Sequence, residues 1–193
     1  MKQILKVPLA CLAVSAYLAL GGCLQRVPPP STGDMPADAF STIAEGQDPD
    51  LAAIQEARIA FAYPARMYGR PGEMALAVAS LDAMAGQFTT SGRWAVMASI
   101  ASDEMLDART EVRGILGIPQ SAPSQSVIDQ LMAASYALDA GDQKAALAAL
   151  SGPDFTKTPA QTLAILAHFP PAPTANLALM DAENDFFPQD SPW

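Results

Sequence analysis

Apolar residues recur at steps of three and four along most of the chain beyond residue 47, a spacing that predicts helices rather than strands. The clearest run is Trp94, Met97, Ala101, Met105, Ala108, Val112 and Ile115, with Asp103, Glu104, Asp107, Glu111 and Arg113 mainly off the stripe. It predicts a long amphipathic helix with one buried side, ending near Gly117 and Pro119. An earlier helix is marked by Leu51, Ile54, Ala57 and Phe61, with Asp48 as N-cap, Pro49 in first position and Pro64 at its close. Tyr68-Gly69-Arg70-Pro71-Gly72 reads as a loop. Met74, Val78, Leu81, Met84 and Phe88 then mark a second helix, and Ser91 can cap the third.

Val127, Ile128, Leu131, Ala134 and Leu138 place a helix over Ser124 to Ala140, and Gly141-Asp142 turns tightly into another from Gln143 to Leu150. Thr158-Pro159 opens a helix that runs to His168, and Thr174 caps a last one through Leu177 and Met180. The expectation is an all-α fold of about six to seven helices, arranged as antiparallel hairpins in a bundle or a short solenoid-like stack. Composition agrees: Ala, Leu and Met abound while Val, Ile, Thr and aromatics are scarce, a balance that favours helices.

The stretch before residue 48 has a different character. Met1 to Lys6 carries two lysines, and Val7 to Leu20 is a short apolar run closed by Gly21, Gly22 and Cys23. This order is that of a secretory signal. Leu20-Gly21-Gly22-Cys23 resembles the lipobox of bacterial lipoproteins, and that resemblance covers residues 1–23 alone. It implies cleavage between Gly22 and Cys23 and a lipidated, palmitate-bearing Cys23 at the mature N-terminus. Leu24, in place of Asp, points by the same resemblance to the periplasmic face of the outer membrane. An uncleaved membrane span is the rival reading, and Val7 to Leu24 is at the short end for it.

From Leu24 to Gln47 the chain is rich in Pro, Ser and Gly and has little periodicity, which predicts a disordered tether. A coil of that length would hold the domain roughly 25–30 Å from the lipid. Phe40 and Ile43 are the residues able to dock on the domain and shorten that reach. The expected organisation is therefore signal 1–22, tether 23–47, helical domain 48–185 and an aromatic tail 186–193.

Within the domain, Ala134, Gly141, Asp142 and Ala146 have the mutual spacing of the small and turn positions of a tetratricopeptide repeat. The hairpin at about 124–150 resembles one such repeat. Gln130 and Ala137 stand where that pattern has bulky residues, and its following Pro falls one residue late, at Pro159. A generic helical hairpin accounts for the same residues.

Charge and chemistry narrow the function classes. Loss of Lys2 and Lys6 with the signal takes the basic residues from 11 to nine against 20 acidic, a formal charge of −11. Such a surface repels phosphate backbones, so nucleic acid is not an expected partner. Cys11 leaves with the signal and Cys23 is consumed by lipid, so stability is expected from packing without disulfides. The single histidine, His168, sits at a helix end, where bonding to terminal carbonyls is the ordinary role. No catalytic motif, metal-ligand spacing or cofactor loop is present, so no catalytic residue, metal or cofactor is assigned.

Two exposed features are candidates for partner binding. One is the loop Arg66, Tyr68 and Arg70, two guanidiniums and an aromatic in an acidic protein; the other is the tail with Phe186, Phe187 and Trp193. For the loop, pairing of both arginines with acidic helix faces is the simpler alternative. On the long helix, Asp103, Glu104 and Asp107 are expected to form a solvated face neutralised by Arg109 and Arg113. The favoured function is a non-enzymatic adaptor, anchored to the membrane by its lipid and bound to another envelope protein. Its rivals are an envelope hydrolase using helix carboxylates and a small-ligand carrier with an enclosed apolar pocket.

Overall fold

The computed structural model describes residues 30–41, 43–94 and 99–186. Among them are seven α-helices: α1 (Pro49–Ala62), α2 (Pro71–Thr90), α3 (Ser99–Leu116), α4 (Ser124–Asp139), α5 (Gln143–Ala149), α6 (Pro159–Ala167) and α7 (Pro173–Phe186). Two short 3₁₀ turns, Pro64–Met67 and Gly92–Trp94, link α1 to α2 and follow α2. The described residues contain no strand. The fold is all-α.

The core is built around α2, which is buried on every side from Met74 to Gly86. A helix apolar all round has to be enclosed. Here α1, α3, α4 and α6 enclose it, and α7 closes the gap between α1 and α3. Because the last helix packs on the first, the arrangement is a bundle and not a linear stack, in which each unit meets only its neighbours. Alanines at the contacts, such as Ala53, Ala57, Ala77, Ala83 and Ala108, are fully or almost fully buried and let the helices approach closely.

Local signals behave as the sequence predicts at several ends. The Asp48 carboxylate accepts from the Asp50 and Leu51 amides at 3.0 and 3.3 Å. Asp142 caps α5 through the Ala145 amide, and Thr158 with Gln161 forms a reciprocal capping box on α6. Gly117, at φ +73°, ends α3, with Ile118 N–H donating to the Arg113 carbonyl at 2.8 Å.

Other expectations are corrected. Helix α3 starts at Ser99; Trp94 lies in the preceding 3₁₀ turn, its ring 5.3 Å from that of Phe88, and Met97 lies outside the described residues. The stripe Ala101, Met105, Ala108 and Val112 is buried as predicted and continues to Leu116, while Ile115 is only partly buried. Helix α4 starts at Ser124 as predicted, whereas α7 starts at Pro173, so Thr174 lies inside that helix and does not cap it.

The tether is the largest correction. Packing begins at Ser31, well before Asp48, and Gly33, Ala39 and Phe40 are buried. Ile43 is exposed, so of the two docking residues only Phe40 docks. The physical reason is polar. Residues 31–34 bury little apolar surface but are held by hydrogen bonds from side chains on α2, α3 and α4. Glycines permit the approach: a Cβ on Gly86 would meet the Ser31 carbonyl at 2.7 Å, and one on Gly33 would meet the Gln125 amide at 2.8 Å.

Candidate functional site

The loop between α1 and α2 and the hairpin α4–α5 meet across α6. Gly69, in the left-handed conformation at φ +78°, donates its N–H to the Ala167 carbonyl at 2.8 Å and so fixes the loop to the end of α6. Between these elements lies an open cleft of about 550 Å³. Pro71, Leu138, Leu147, Leu163 and Ala164 supply most of its apolar wall. Gln143 and Leu147 face it because they are four residues apart on α5.

The structure brings the loop residues to the edge of this cleft, at Gly69 and Pro71, in distinct settings. Tyr68 is half exposed, and its ring lies 5.4 Å from that of His168. His168 ends α6 through its backbone N–H, which donates to the Ala164 and Ile165 carbonyls, so its imidazole is left against Tyr68. Arg70 pairs with Glu73 at 3.2 Å, both exposed, whereas Arg66 stacks 4.6 Å over the Tyr63 ring and meets no carboxylate among the described residues. The expected pairing with acidic faces therefore holds for Arg70 alone. Phe186 is the last residue of α7, while Phe187 and Trp193 lie outside the described residues, as do Gly22 and Cys23.

A second constellation was not visible in the sequence. Arg113, 1% exposed, makes a two-pronged contact with Asp82, Nε to Oδ2 at 2.7 Å and Nη2 to Oδ1 at 2.8 Å. Its remaining N–H groups reach the Ala122 carbonyl at 2.9 Å and the Ser124 hydroxyl at 3.0 Å. Arg109 donates to the Ser31 carbonyl at 2.7 Å, and the Ser31 hydroxyl accepts from the Ser124 amide at 2.9 Å. Burial pushes the Arg109 guanidinium below its ordinary value, Asp82 opposes this and Arg113 adds to it. Asp82 pairs with Arg113 directly and acts on Arg109 through its charge alone. Carbonyls and a serine hydroxyl complete the hydrogen bonding of the two guanidiniums, as burial demands. Arg109 and Arg113 thus turn inward rather than neutralising Asp103, Glu104 and Asp107, which corrects the expected surface pairing.

A further recess of about 520 Å³ is lined by Asp38, Glu56, Glu73, Leu76, Met132, Tyr136 and Asp139. Burial raises the Glu56 carboxyl above its ordinary value, and Glu73 adds to the rise. Burial together with the hydrogen bond to Asp38 pushes the Tyr136 hydroxyl up to about 12. The buried carboxylates are held by neighbours: Asp82 by Arg113, and Asp154 by Ser126 at 2.5 Å and Gln130 at 2.6 Å. Among the described residues no three His, Cys, Asp or Glu side chains converge as a metal cage. Comparison with protein-family models, with curated proteins and with solved structures gives no match.

Proposed function

We propose that the protein is a lipid-anchored adaptor of the bacterial cell envelope whose apolar cleft between α5, α6 and the 66–71 loop docks another envelope protein. The observation that carries the reading is the cleft itself. It presents Leu138, Leu147 and Leu163 beside an exposed Tyr–His pair, a combination suited to protein contacts. Its open form suits a segment of a partner better than a small ligand, which calls for enclosure. The anchor is read from Leu20-Gly21-Gly22-Cys23. No helix among the described residues is long and apolar enough to cross a membrane.

The docked N-terminal segment supports the same reading. It joins the bundle at Ser124, the start of α4, whereas the cleft takes Leu138 from the end of α4. At about 1.5 Å rise per residue these points are roughly 20 Å apart along the helix. A lipid on Cys23 would therefore hold the domain by the end opposite the cleft, leaving the cleft turned away from the bilayer.

The test is co-purification from detergent-solubilised envelopes, comparing the parent with Leu163→Glu, which places a charge in the cleft wall. One partner recovered in near-stoichiometric amount and lost with Leu163→Glu is expected. Recovery of the same proteins from both overturns the adaptor reading.

A further inference from the structure

We infer that the segment docking in the cleft is acidic as well as apolar; this rests on the reading of the cleft as a docking surface and names the partner's chemistry. The described cations that lack a carboxylate partner lie to one side of the molecule's acidic surface, near the cleft. Among the described residues Arg58, Arg70, Arg93 and Arg113 are in ion pairs, and Arg109 is buried under Ser31. Arg66, Lys144 and Lys157 meet no carboxylate.

Each is next to the cleft, two by their place in the chain and one across a shared wall residue. Arg66 is on the turn leading to Gly69, and Lys144 follows the cleft residue Gln143 on α5. Lys157 lines a smaller recess with Gln161, Ala164 and Ile165, and Ala164 is shared with the cleft. Of the neighbouring acids, Asp142 caps α5, Glu73 pairs with Arg70, and Asp139 lines the other recess instead of the cleft. No charged side chain lines the cleft wall, so its floor selects apolar groups and its border selects negative charge.

The contrast with the other large recess sharpens this. That recess is of nearly equal size but is ringed by Asp38, Glu56, Glu73 and Asp139, and an acidic segment is repelled there. On a surface of strong net negative charge, one cation-bordered apolar cleft is a place where an acidic partner is attracted instead of repelled.

The experiment places photoreactive benzoylphenylalanine at Ala164 in the intact lipoprotein and irradiates whole cells. Arg66→Glu/Lys144→Glu/Lys157→Glu is expected to lower the adduct by about tenfold or more, like charges facing each other at the border. The Gln triple variant is expected to lie between, with both variants unfolding at the parent temperature. The cross-linked partner peptide, mapped by mass spectrometry, is expected to hold Asp or Glu among apolar residues. An adduct undiminished by either triple variant but lost with Leu163→Glu overturns the acidic partner and leaves the docking surface standing. An adduct unchanged in all variants overturns both.

Discussion

At the scale of single residues, the buried pair Asp82–Arg113 decides more than any other polar contact. Removing one partner of such a pair strands a charge in the core and costs about 3–5 kcal/mol. Arg113→Ala is therefore expected to lower the urea midpoint strongly, and Asp82→Leu/Arg113→Met to recover a large part of the loss. A double variant no better than the single one would contradict this account. Glu56 acts in the opposite sense. Its carboxyl is raised in the fold, so its ionised form is disfavoured relative to the unfolded chain. The stability it favours is present below the ordinary value of 4.5 and is lost as pH rises through the higher folded value. Glu56→Gln is thus expected to stabilise at pH 7 and to match the parent below pH 4.5, read from urea unfolding at the two pH values. The sequence made Asp48, Gly117 and Thr158 legible because capping is local. It hid Asp82, Arg109 and Arg113, because a charge at helical spacing looks the same whether it meets water or a partner 31 residues away.

At the scale of elements, periodicity located every helix, since one buried face is enough to fix a helix, but it started α3 at Trp94 instead of Ser99. It missed that α2 is enclosed on all sides, where apolar content and not spacing carries the signal. It also took residues 31–41 for tether. That segment is fixed by hydrogen bonds to Arg109, Ser124 and Gln125 and by close glycine contacts, none of which leaves a hydrophobic pattern. Two glycines test the distinction. Gly114 is exposed in the interior of α3 with nothing near a would-be Cβ, so Gly114→Ala is expected to stabilise by about 0.5–1 kcal/mol in thermal or urea unfolding. Gly86→Ala drives a methyl group into Ser31 and Thr32 and is expected to release the segment. Amide exchange at Asp34, whose N–H donates to Gln125 Oε1 at 2.8 Å, is the readout. Unaltered exchange there would show that the segment does not depend on this contact.

At the scale of the whole molecule, the docked segment changes what an anchor does. With packing starting at Ser31, Leu24 to Pro30 reach at most about 3.4 Å per residue, roughly 25 Å when fully extended. An anchored domain is then held close to the bilayer, with its attachment at one end of α4 and the cleft at the other. The anchor is checked by [³H]palmitate labelling, which is expected to be lost on Cys23→Ala and would refute the lipobox if retained. The loop residues of the cleft were legible as an Arg and Tyr cluster in an acidic chain. The cleft was not, because Leu138, Leu147 and Leu163 come together only when α4, α5 and α6 are packed.

The central claim is that this cleft, and not apolar surface in general, is where the protein meets its partner. The most direct measurement compares whole-cell photo-cross-linking from Ala164 in the cleft with that from Ile100, which is 68% exposed near the start of α3. A discrete adduct from Ala164 and none from Ile100 is the predicted result. Equal labelling from both positions, or none from Ala164, would contradict it.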